Sequence, residues 1–167
     1  GLHNNEYRFL SVRRRNLMTG FDELTTQVAT TDFSSDFEMA QKWSAFAKPG
    51  GSFLMIGCHE NVISITSFLL GKFRAATYIS FDQAEDLPYH WLQHSANSSW
   101  MRGIHETIYL FGHQCHEVEQ ALQGFWDDSA EITKLNSLET IGVQAEEETY
   151  GFDLAAAFPA ILLSLDF

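Results

Sequence analysis

The chain has 167 residues, 45% of them hydrophobic and 14% aromatic, with a formal net charge of −12. That size and apolar content suit one domain spanning residues 1–167 with a core of its own, while the acidity disfavours nucleic acid as a partner. No apolar run approaches the roughly 20 residues of a membrane helix and no basic-then-apolar leader opens the chain, so we expect a cytoplasmic protein with no membrane contact and reduced cysteines.

The charge is uneven. Arg8, Arg13, Arg14 and Arg15 crowd the start, whereas after Arg102 the only basic residue is Lys134. Residues 1–18 read as an extended or mobile start, with Met18 an alternative native beginning. Residues 7–12 and 24–31 read as strands. Ser35 with Glu38 three residues later is a capping-box pattern. Phe37, Met39, Ala40, Trp43, Phe46 and Ala47 then recur at helical spacing until Lys48-Pro49-Gly50-Gly51 halts them.

Residues 52–57 read as a buried strand, 59–70 as a helix closed by Gly71, and 75–81 as the next strand, a strand-helix-strand unit. A further helix opens at Asp86-Leu87-Pro88 and runs through Trp91 and Leu92 to a loop at 95–99. The pattern then recurs: a strand at 107–112, a helix at 115–126 with Val118, Leu122 and Phe125 on one face, and a strand at 131–135. Residues 138–143 read as one more strand, and 150–158 as a helix that Pro159 breaks before an apolar end at 160–165. The alternation predicts an α/β fold, a mainly parallel or mixed sheet with helices on both faces.

Both cysteines open the same tripeptide, Cys58-His59-Glu60 and Cys115-His116-Glu117, each after an apolar run ending in glycine. A thiol between a strand end and a helix start feels the positive end of the helix dipole, which favours thiolate and makes Cys58 the candidate nucleophile. Adjacent side chains diverge, so a base for it would come from His90, His94, His105 or His113. His90 and His94, four residues apart, put two imidazoles on one helix face as candidate metal ligands. Trp91 stands where a His-Glu-x-x-His metalloprotease carries its glutamate, which excludes that chemistry. Neither a phosphate loop nor a Gly-x-Gly-x-x-Gly run occurs, and no cofactor is expected. Trp91, Trp100, Trp126 and Tyr150 fall near element ends as candidate pocket or interface residues, and the aromatic surplus predicts a homodimer.

The stretch Cys58-His59, then Phe68-Leu69-Leu70-Gly71-Lys72, then Arg74-Ala75-Ala76-Thr77-Tyr78 resembles the segment after the nucleophile cysteine in the DJ-1/PfpI superfamily, over residues 53–81. The resemblance implies a three-layer α/β fold, frequent dimers and thiol-dependent hydrolase, glyoxalase-type or stress-response activity. Cys58 would be the nucleophile and His59 its neighbour at a strand-to-helix elbow; Glu60 stands where that superfamily carries a small residue. Two functions therefore compete, with enzymatic activity left open. One is an acidic binding protein that engages a basic protein or a small apolar ligand. The other is a thiol-dependent enzyme built on Cys58.

Overall fold

The computed structural model describes residues 35–135 and 154–164. The strands expected at 7–12, 24–31 and 138–143, the start at 1–18, and Tyr150 lie outside the described residues.

Helix α1 (Asp36–Ala47) begins where the capping box placed it. The Glu38 backbone N–H donates to Ser35 Oγ at 3.3 Å, and the Ser35 N–H donates to the Glu38 carboxylate at 2.8 Å, which satisfies two otherwise orphaned donors. Met39, Ala40 and Trp43 form its buried face, and Lys48 ends it in the left-handed conformation with φ 46°.

Strands β1 (Ser52–Cys58), β2 (Val62–Leu69) and β3 (Lys72–Ser80) follow as an antiparallel meander. The helix expected over 59–70 is therefore absent, because β2 occupies most of that stretch. Its β-branched residues favour a pleated backbone, and its side chains alternate: Ile63 and Ile65 enter one core while Phe68 enters the other. Gly71 does not cap a helix. With Leu70 (φ 51°) it makes a two-residue turn, both residues at positive φ, that pairs Leu69 with Lys72.

The second half of the expected alternation holds. Helix α2 (Leu87–Asn97), with proline in its first turn, leads through a 3-10 turn (Ser99–Arg102) to β4 (Thr107–Gly112), α3 (Cys115–Leu122), a 3-10 turn (Gln123–Phe125) and β5 (Glu131–Lys134). Helix α4 (Leu154–Ser164) carries Pro159 inside it and does not break there as the sequence suggested. It packs on β4 and α1, so burial of Phe158 and Leu162 offsets the backbone bond that proline cannot donate.

The strands form one mixed five-stranded sheet in the order β3-β2-β1-β4-β5, with β1, β4 and β5 parallel. Helices α2 and α3 cover one face over Leu54, Ile56, Ile63 and Ile65, while α1 and α4 cover the other. That second face consumes much of the aromatic surplus. Phe53 stacks on Phe68 at 4.7 Å, and Trp43 meets Tyr109 and Phe158 edge-on at 5.7 and 5.4 Å. Among the described residues no helix is long and apolar enough to cross a membrane.

Candidate functional site

In open α/β sheets the ligand crevice lies beyond the carboxyl ends of the parallel strands, where the chain departs to opposite sides of two neighbours. Here that point falls between β1 and β4: β1 turns back into β2, and β4 passes through α3 to β5 on the other side. The turn His59-Glu60-Asn61, the turn Gly112-His113-Gln114 and the start of α1 converge on it.

The tightest polar contact in this crevice joins His59 Nε2 to Asp36 Oδ2 at 2.7 Å, with the two side chains 34% and 20% exposed. Gly57 makes room for it. A Cβ at that position would press on Ser64 Oγ, Phe111 Cζ and Asp36 Oδ2 at 2.5–2.8 Å, so only glycine lets the carboxylate lie over the end of β1. Phe111 meets the His59 ring edge-on at 6.4 Å. The Gln114 carboxamide, oriented so that its donors face acceptors, donates to the carbonyls of His59 and Glu60 at 3.2 Å and ties the two turns together.

The pair shifts both partners. Burial alone would raise the Asp36 carboxyl, but the bonds from His59 and Ser64 and the imidazolium charge outweigh it and hold its pKa below the usual carboxylate range. The bond to Asp36 raises His59, against the opposing effect of burial. The signs give a window. Asp36 contributes stability that is complete above its unfolded value of about 4 and is lost as pH falls through its lower folded value. His59 contributes stability that is complete below its unfolded value of about 6.5 and is lost as pH rises through its raised folded value. Urea denaturation from pH 4 to 9 is therefore expected to show a plateau with an alkaline decline that His59→Gln removes; an equal decline in the variant would refute the pairing.

Cys58 and Cys115 are both free and buried. Their thiols meet: the bond to Cys115, then burial, then the charges of Cys115, Asp36 and Glu117 push Cys58 well above the ordinary thiol range. Cys58 thus lacks the helix N-terminus expected to activate it, because the strand it ends continues into a hairpin. Cys115 does open a helix, but its thiol donates to the Gly112 carbonyl at 3.0 Å. The two Cys-His-Glu units are therefore unlike in local structure and adjacent in space.

The remaining expected residues scatter. Trp91 is 2% exposed in the core beneath α2, Trp100 packs against the same cluster, and Trp126 lines a cleft at the opposite end of the sheet. His90 and His94 lie half-buried on α2, and among the described residues no three His, Cys, Asp or Glu side chains gather as a metal site. Asp36, Ser64 and Gln114 were not singled out by sequence. Asp36 lies in the first turn of α1, and only folding brings it to His59.

The exposed side chains at this end of the sheet include several carboxylates, beside Asn61, His113 and His116. The Phe81 N–H bonds the Asn61 carbonyl at 3.0 Å, and Asp82 follows at the carboxyl end of β3. The following 3-10 turn (Ala84–Asp86) packs on α3, whose first turn carries Glu117. Lys134 is held by Glu119 at 2.6 Å.

No protein-family model matches the chain, and no curated protein does. Solved structures do. A Bacteroides thetaiotaomicron protein described as having an actin-like ATPase fold and unknown function aligns with TM-score 0.52 and 18% identity, covering 70% of this chain and 45% of that one. An Aquifex aeolicus Ppx/GppA family member aligns at 0.40 and 12% over 60% of this chain and 39% of its own. The AlfA filament bound to AMPPNP gives 0.41 and 9% over 71% and 40%. The chain thus spans less than half the length of each. The first of these likenesses bears on the fold alone: an α/β arrangement similar to part of that protein's. It also corrects the DJ-1/PfpI resemblance, whose segment 53–81 is here a three-stranded meander without the strand-to-helix elbow.

Proposed function

We propose that the chain is a binding unit, not a thiol enzyme, and that its crevice receives a cationic segment of a protein partner. The observation that carries this reading is a set of exposed carboxylates at one end of the sheet: Glu60 after β1, Asp82, Glu85 and Asp86 after β3, and Glu117 after β4, with Lys134 at the end of β5 already paired. Such a field speeds and orients the approach of Lys or Arg side chains. A nucleoside triphosphate in the same crevice would bring its phosphates against Glu60 and Asp36, which makes magnesium-ATP the informative comparison.

The test is fluorescence anisotropy with a labelled oligolysine peptide. Glu60→Lys with Asp82→Lys is expected to weaken binding about tenfold or more. Asp127→Lys with Asp128→Lys changes net charge equally on an exposed loop away from the crevice and is expected to shift affinity by less than about twofold. Equal weakening by both pairs would reduce the effect to bulk charge, and tight magnesium-ATP binding that competes with the peptide would replace this reading with a nucleotide site.

A further inference from the structure

A second site lies at the other end of the sheet, where β4 begins. A cleft of about 260 Å3 runs between the Met101–Ile104 segment and the Gly124–Asp127 segment. Its lining is mixed: Met101, Ile108 and Trp126 are buried beneath it, Ile104 and Phe125 stay 72% and 36% exposed on its sides, and Arg102, Asp127 and backbone add polar surface. The exposed Ile104 and Phe125 favour an occupant with an apolar part, and the polar lining one with a polar end. One wall is rigid. His105 is 4% exposed and both of its ring nitrogens are engaged, Nδ1 with Ser52 Oγ at 3.1 Å and Nε2 with the Trp100 carbonyl at 3.0 Å.

The polar groups of the cleft set the charge of the occupant. Asp127 is turned onto its own loop, where its carboxylate accepts from the Ser129 backbone N–H at 2.9 Å and from the Ser129 hydroxyl. Arg102 has no carboxylate partner among the described residues. Trp126 is 9% exposed, and its indole N–H is buried without an acceptor among the described residues, an unmet donor that calls for one. Arg102 is thus the cation of the cleft lining without a carboxylate partner among the described residues, while the Asp127 carboxylate keeps its charge and is engaged by Ser129.

We propose that this cleft binds a small organic carboxylate, its apolar body over Met101, Ile108 and Phe125 and its carboxylate on the Arg102 guanidinium. The volume is below that of drug-sized pockets, so the ligand is compact. The six residues of β4 separate this cleft from the acidic crevice by about 20 Å, and the two sites call for ligands of opposite charge.

The probes are 4-phenylbutyrate, 4-phenylbutanol and 4-phenylbutylamine, which share one apolar body and differ in the end group. The readout is the Trp126 indole N–H resonance, assigned by its loss in Trp126→Phe. The carboxylate is expected to give a saturable shift and to bind about tenfold tighter than the alcohol, with the amine weakest. Arg102 is exposed, so Arg102→Ala preserves the fold and brings the carboxylate to the level of the alcohol, while Arg102→Lys keeps part of the preference. Equal affinity for the acid and the alcohol, tighter binding of the amine, a preference that survives Arg102→Ala, or no saturable shift each overturns the proposal. The three probes on the native chain decide it should a variant fail to fold.

Discussion

Replacing Gly112 by alanine is expected to lower the unfolding free energy by about 3 kcal/mol or more, from a strained backbone and a main-chain collision together. Gly112 sits at φ 103°, which L side chains rarely adopt, and a Cβ there would run into the Cys58 carbonyl. That carbonyl cannot retreat cheaply. It belongs to β1, which is bonded on one side to β2 and on the other to β4, with every residue buried. The strain therefore falls on the junction where the crevice opens, and the Gln114 carboxamide would lose its hold on the His59-Glu60 carbonyls as the two turns part. Gly50→Ala is the control, because no atom lies within 4 Å of a Cβ there; its effect should stay within about 0.5 kcal/mol. Urea denaturation of both variants settles the matter: a loss below about 1 kcal/mol for Gly112→Ala would show that the β1–β4 junction yields easily.

The same junction shows which features the sequence carried. Helix α1 was legible because its start is written locally, in Ser35 and Glu38, and its buried face in Met39, Ala40 and Trp43. The β4-α3-β5 unit was legible for the same reason, each element having its own period. β2 was not. Ile65, Phe68 and Leu69 fall at helical spacing while Ile63 and Ile65 alternate, and choosing the helix turned an antiparallel meander into a strand-helix-strand unit. The error then reached the chemistry, since Cys58 was credited with a helix dipole that belongs to Cys115 alone. The His59–Asp36 pair was out of reach for another reason: 23 residues separate the two, and neither carries a local sign of the other.

Trp43→Ala is expected to cost about 3–5 kcal/mol, the range for deleting a buried aromatic and leaving its cavity. Trp43 is 1% exposed and joins three elements, meeting Phe46 of its own helix at 6.1 Å, Tyr109 of β4 at 5.7 Å and Phe158 of α4 at 5.4 Å. Its indole N–H has no acceptor among the described residues, so packing alone accounts for its hold, and Trp43→Phe should recover most of the loss. The substitution also reaches the crevice. Asp36 is the first residue of α1, and the helix presents it to His59 only while its buried face stays seated on the sheet. An α1 that rocks in its socket weakens that bond, and the His59 pKa should fall back toward its ordinary value, read from imidazole proton shifts across pH. Phe46→Ala, at a half-buried position on the same helix, should cost less and leave His59 unchanged. If Trp43→Ala destabilised the chain without moving His59, the Asp36 contact would be held by the capping box and Gly57 at the helix start, independently of how α1 packs; movement of both together would make the core beneath α1 the support of the crevice.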